Sequence, residues 1–179
     1  MKYTLTLLSL FLIACSHPSP KATVIIPEKP VDTSRYVVFK FDTARDNHLF
    51  RKVNKPADLS SSEIDKIEVI IAEEVVEYNK HEKAFVDSIN KKSHRNDPAN
   101  AIPYDNLISH PEKYYKQFLA ITNGKGEKEV WVSCFCDVGD KSYWKKDWVR
   151  VEDGGSCYFK IKINLTTNRV AGFYVNGVA

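Results

Sequence analysis

The chain reads as an α+β domain: one long helix packed on a four- to six-stranded antiparallel sheet. Two observations lead there. Between residues 60 and 79 apolar side chains recur every three or four positions, the period of a helix with one buried face. From about Tyr114 to the end the period drops to two, and turn residues separate short runs rich in β-branched and aromatic side chains. Of the 179 residues 43% are hydrophobic and 12% aromatic, which is enough for a packed core.

The chain opens with Lys2 and a short apolar run from Tyr3 to Leu12, followed by Ile13-Ala14-Cys15. A charged start, an apolar stretch and a small residue before a cut describe a signal peptide over residues 1–14. The run is too short to cross a bilayer, which takes about 20 apolar residues. Leu12-Ile13-Ala14-Cys15 resembles the lipobox of bacterial lipoproteins. That resemblance implies cleavage before Cys15, diacylation of its thiol and acylation of the new amino group. Three chains hold firmly, since each buried CH₂ contributes about 0.8 kcal/mol and a single myristoyl chain binds only reversibly. Ser16 stands where lipoproteins kept in the inner membrane usually carry Asp, so the resemblance implies the outer membrane. Pro18, Pro20, Pro27 and Pro30 make residues 15–33 an extended, semi-rigid tether, interrupted by Val24-Ile25-Ile26, which reads as linker or a short edge strand. One domain is expected over 34–179.

Within it, Tyr36 to Phe41 reads as a first strand. Asp42 to Ala57 is polar and turn-like. Ser60 and Glu63 form a capping box, with Leu59 and Ile64 as its hydrophobic staple. Ile64, Ile67, Ile71, Val75 and Tyr78 then share a face, which predicts a helix from Ser61 to about Asn79. Phe85 and Ile89 extend the stripe, although Glu82 falls on it. Lys91 to Pro103 is a loop punctuated by Pro98 and Pro103. Later strands are expected over Tyr115–Thr122, Glu129–Asp137, Trp148–Glu152, Ser156–Leu165 and Val170–Asn176, with Asn123-Gly124 as a hairpin turn. The sheet would pack its apolar face on the helix and leave the other to solvent.

Strand, long helix, then consecutive strands is an order similar to the cystatin-like fold. The resemblance implies protease inhibition, but the family's Gln-x-Val-x-Gly wedge is absent: Gln117 is followed by Phe118-Leu119-Ala120-Ile121.

With Cys15 acylated, Cys134, Cys136 and Cys157 remain, and export places them where disulfides persist. Cys134 and Cys136 lie two apart on one strand, about 6.5–7 Å between α-carbons, with side chains parallel rather than converging. An antiparallel register that pairs Cys136 with Cys157 also pairs Cys134 with Phe159, Val132 with Ile161 and Val130 with Ile163, all on the apolar face. This predicts a Cys136–Cys157 bridge with Cys134 buried and free; a slipped register would bridge Cys134 to Cys157 instead. The bridge would close a loop of about 22 residues and contribute about 3 kcal/mol. A redox site would need an exposed thiol of low pKa, and a zinc site about four ligands.

Signatures of catalysis are missing: no Gly-x-Ser-x-Gly, His-Glu-x-x-His, phosphate loop or dinucleotide fingerprint. No catalytic residue, metal ligand or cofactor is assigned. A net charge of +3 with no basic run among aromatics argues against nucleic acid. The candidate binding surface is aromatic: Tyr143, Trp144 and Trp148 beside Lys145, Lys146 and Arg150, with Trp131, Phe135 and Tyr158 on the sheet's outer face. The expected function is therefore non-catalytic: a lipid-anchored envelope lipoprotein that meets the membrane through its anchor and an envelope protein or glycan through this surface. The alternatives are a protease inhibitor or an enzyme built on a cleft of His110, a free Cys134 and an acid.

Overall fold

A computed structural model of the chain describes residues 33–50, 54–93, 99–139 and 141–177. The leader, Cys15 and the Val24-Ile25-Ile26 run lie outside the described residues. A 3₁₀ turn at Thr33–Arg35 leads into β1 (Tyr36–Phe39), then α1 (Thr43–Asp46), a second 3₁₀ turn, β2 (Lys55–Pro56) and the long helix α2 (Ser61–Lys92). A 3₁₀ turn at Pro111–Lys113 precedes β3 (Tyr115–Thr122) and β4 (Lys128–Phe135). Another at Gly155–Cys157 precedes β5 (Tyr158–Asn164), and β6 (Arg169–Val175) follows.

The strands form one sheet in the order β1-β3-β4-β5-β6, with β2 also on β3. It is a mixed sheet rather than the purely antiparallel one expected. β1 runs parallel to β3, from Tyr36 opposite Lys116 to Phe39 opposite Leu119. Parallel neighbours need a long crossover, and α2 lies in that connection. The two residues of β2 continue the same edge of β3, antiparallel to it, with Lys55 opposite Thr122 and Pro56 opposite Ile121. β4 and β5 pair in the expected register, Cys134 opposite Phe159, Val132 opposite Ile161 and Val130 opposite Ile163.

The start of α2 follows local chemistry. Ser60 Oγ accepts from the Glu63 amide at 3.3 Å and Glu63 Oε2 accepts from the Ser60 amide at 2.9 Å, which closes the capping box. Lys128 Nζ then donates to Glu63 Oε1 at 2.6 Å and ties the cap to β4. Ile64, Ile67, Ile71 and Val75 are buried against Phe118, Val130, Val132, Phe159, Ile161 and Ile163 of the sheet.

The helix continues well past Asn79. Beyond Tyr78 the buried side is marked by Val86, and Phe85, expected on the stripe, is 61% exposed. This half of α2 faces backbone as well as side chains. Asn79 Nδ2 donates to Ile108 O at 2.8 Å while the Ile108 amide donates to Asn79 Oδ1 at 2.9 Å. Asn90 does the same for Ile102, at 3.1 and 2.8 Å. Two side-chain amides thus hold the incoming chain along the helix as a neighbouring strand would, and satisfy its backbone groups.

The second face of the sheet is covered over β3 and the end of β4, while over β5 and β6 it stays partly open, with Lys160 and Lys162 half-buried and Tyr174 exposed. Gln117, Leu119 and Ile121 point away from α2, yet all three are fully buried. Phe39, Phe41, Phe50 and Trp148 cover Leu119 and Ile121. Trp144 and Val149 cover Phe135. The expected strand over Trp148–Glu152 does not form, because residues 141–147 coil into turns and the 148–150 backbone runs over the sheet face rather than along its edge. The β3–β4 turn also differs. Gly126, at φ +80°, takes the left-handed position, and Asn123 Oδ1 accepts from the Lys125 and Glu127 amides. A five-residue connection replaces the two-residue Asn-Gly turn.

A candidate cleft beside the disulfide

The approach to β3 sets up a concavity with convergent polar groups. Ile108 is buried and fixed by Asn79. The chain then turns sharply at His110, whose φ of 52° and ψ of 56° place a non-glycine residue in the left-handed region directly before Pro111. Both conditions are costly: side chains disfavour that region, and a following proline disfavours helical backbone. The 3₁₀ turn that follows is held from beneath by Lys116. Its ammonium donates to Pro111 O at 3.0 Å and Tyr114 O at 3.3 Å, and pairs with Glu68 Oε2 of α2 at 3.1 Å. A lysine only 3% exposed is tolerable because each of these oxygens replaces water. Burial raises the Glu68 carboxyl above its ordinary value, with Lys116 pulling the other way.

The opposite wall comes from the ends of β4 and β5. Cys136 and Cys157 are bridged, their α-carbons 4.9 Å apart, and the Cys136 amide donates to Cys157 O at 2.9 Å. Cys136 is exposed and Cys157 half-buried. The Tyr114 hydroxyl donates to Ser156 O at 3.0 Å and links the two walls. Between them is an open cleft of about 340 Å³ lined by Ser109, His110, Lys113, Tyr114, Ser156 and the two bridged cysteines. His110 Nδ1 lies 3.1 Å from Glu112 Oε1, both exposed.

Cys134 is free but not part of the cleft. It is 1% exposed on the α2 side of the sheet, and burial pushes its thiol well above the ordinary value. The grouping of His110, Cys134 and an acid in one cleft is therefore not made; the sulfurs beside His110 are those of the bridge. Among the described residues no three His, Cys, Asp or Glu side chains gather where they could hold a metal ion.

The aromatic surface drawn from the sequence is divided. Tyr143 is 44% exposed and Tyr158 half-buried, but Trp144 and Trp148 are each only 7% exposed. Residues 142–146 form turns, and both indoles fold inward as part of the cover of the second face. The Trp144 ring centre lies 5.3 Å from that of Tyr115 and 5.8 Å from that of Phe135; Trp148 meets Phe39 edge-on at 4.9 Å. The two tryptophans are packing, and they do not form a docking patch with Tyr143 and Tyr158.

What holds that cover is polar. Gln117 is fully buried; its Nε2 donates to Trp144 O and to Asp147 O at 2.8 Å, and its Oε1 accepts from the Val149 amide at 3.0 Å. Asp46, also fully buried, accepts from Trp148 Nε1 at 3.0 Å, from the Asp42 amide at 2.9 Å, and from the Arg45 guanidinium at 2.7 and 2.8 Å. Burial alone would raise the Asp46 carboxyl, but the hydrogen bonds from Arg45, the Asp42 amide and Trp148 outweigh it and hold it below its ordinary value. Gln117 is signalled in the sequence only as a polar residue inside an apolar strand, and Asp46 not at all.

The chain matches no family model, no curated protein and no solved structure. Among the described residues no helix is long and apolar enough to cross a membrane.

Proposed function

We propose that this chain is a lipid-anchored lipoprotein of the bacterial cell envelope, held in the outer membrane by acylated Cys15, whose domain is a non-catalytic binding module. The observation that carries this reading is the joint presence of Leu12-Ile13-Ala14-Cys15 and a bridged cysteine pair in the domain. Disulfides persist in exported proteins and are rare in the cytosol. The cleft between His110 and the bridge is the better binding place than the aromatic surface, because Trp144 and Trp148 are already used in packing. Its exposed imidazole and lysine beside an aromatic ring suit an envelope protein more than a neutral glycan.

The inhibitor reading has less support. Gln117, the residue nearest to a wedge glutamine, is buried under the 144–149 segment and has no access to a protease.

Growth with labelled palmitate tests the anchor: wild type incorporates label and Cys15→Ser does not. Photo-crosslinking from a probe at Lys113 in intact cells tests the cleft. Adducts that vanish with excess unlabelled protein, and weaken in His110→Ala but not in Tyr143→Ala, support it. Equal adducts in all three sink it.

A further inference from the structure

The bridge is unusually placed for a purely structural cross-link. Cys136 is exposed, and both of its sulfurs' residues line an open cleft rather than the core. Lys113 and His110 stand on the same cleft, one a cation and the other a proton donor when charged. The sheet does not depend on the bond for its register. β4 and β5 are paired over seven residues, from Glu129 opposite Asn164 to Phe135 opposite Tyr158, and Val130, Val132, Ile161 and Ile163 are fully buried along that pairing. Opening the bridge removes a staple at the end of a ladder that is already complete. The third cysteine is sealed away: Cys134 is 1% exposed, so it neither competes with nor scrambles the pair.

We propose that Cys136–Cys157 is an exchangeable disulfide that oxidises a pair of cysteine thiols on a partner protein docked in this cleft. The inference goes beyond the binding reading above, with the bridge acting once as a stoichiometric oxidant rather than a catalyst, and it rests on the cleft being where that partner sits. A partner thiolate attacks Sγ of Cys136, the more exposed of the two residues. The new S–S bond forms as the Cys136–Cys157 bond breaks, and the electron pair leaves on Cys157 Sγ, which takes a proton from His110 or solvent. The partner's second thiolate then attacks its own sulfur in the mixed disulfide. The partner leaves with a disulfide, and Cys136 leaves as a thiolate that is protonated in turn. Two electrons pass from the partner's dithiol to this domain. Cys157 stays beside Cys136, held by the β4–β5 pairing, and the domain ends the exchange as a dithiol.

Glutathione is the probe, used on full-length protein in detergent at neutral pH without denaturant. Exposed disulfides exchange readily with thiols, whereas protected structural ones do not. The wild-type bridge should open in millimolar glutathione while the far-ultraviolet circular dichroism stays native. With oxidised glutathione as the reagent, Cys157→Ser should form a mixed disulfide at Cys136 with release of one glutathione thiol, and Cys136→Ser should form about tenfold less at Cys157, following the exposure of the two residues. His110→Ala with Lys113→Ala should slow exchange several-fold with an unchanged unfolding midpoint. A bridge that opens only at denaturant concentrations that unfold the chain overturns the proposal, even if a trapping variant fails to fold. So does exchange that the double variant leaves unaltered. If exchange fails while crosslinking at the cleft still depends on His110, the inference falls and the binding reading stands. If glutathione exchanges but nothing crosslinks at the cleft, the binding reading falls and the inference falls with it.

Discussion

Gln117→Leu removes the polar clamp from under the 144–149 segment while keeping most of the side chain's volume. Three hydrogen bonds disappear, to Trp144 O, Asp147 O and the Val149 amide. Each neutral hydrogen bond contributes about 1 kcal/mol net, and a partner left buried without water costs about 1–3 kcal/mol. Trp144 and Val149 are each under 10% exposed, so water reaches their backbone only if the segment lifts. The expected loss is therefore about 3–4 kcal/mol, a large share of a typical domain's 5–15 kcal/mol. Urea unfolding followed by tryptophan fluorescence measures it. Acrylamide quenching gives the location: two of the three tryptophans, Trp144 and Trp148, belong to this segment and face the sheet, so quenching should rise in native buffer while helix content does not change. A loss below about 1 kcal/mol with unaltered quenching would refute the reasoning that one buried amide holds the second face closed.

Three further outcomes follow from the same geometry. Asp46 has a folded pKa below its ordinary 3.8, so its contribution to stability is present above that value and is lost as pH falls through the folded one. Asp46→Asn should cost about 2 kcal/mol at neutral pH and flatten the acid limb of the stability curve below pH 4, as read by urea melts across pH. Asn79→Ala combined with Asn90→Ala should cost about 2 kcal/mol and speed amide exchange at Ile102 and Ile108, with the Ser61–Tyr78 half of the helix unaffected. Ile71→Ala, at a position 1% exposed between helix and sheet, should lower stability by about 2–5 kcal/mol in the same melts, without changing glutathione exchange at the bridge.

The parts of the fold that were readable are those where one local rule acts alone. Ser60 and Glu63 give the start of α2 because capping is settled within four residues. The Cys136–Cys157 register follows from which side of each strand is apolar, and the observed pairing agrees. The parts that were not readable depend on a distant partner. The parallel placement of β1 is decided by the crossover through α2, which leaves no trace in Tyr36–Phe39 itself. The helix beyond Asn79 is hard to read because Glu82 interrupts the apolar stripe, and what holds that half is Asn79 and Asn90 bonded to loop backbone, which leaves no apolar period.

The covered second face did leave a signal. Phe118, Leu119, Ala120 and Ile121 form a continuous apolar run, the mark of a strand buried on both sides. That run requires an apolar cover for Leu119 and Ile121, and Trp148 is part of it. The cleft could not be seen at all: it needs the left-handed turn at His110 and the bridge to face each other across residues far apart in the chain.

Intact mass of the protein extracted from membranes without reductant tests the central claim most directly. The proposed lipoprotein predicts a chain that starts at Cys15, carries three acyl chains and is two mass units lighter, about 2 Da, than its fully reduced form because of one bridge. A chain that retains Met1, or starts at Cys15 without acyl mass, would contradict it.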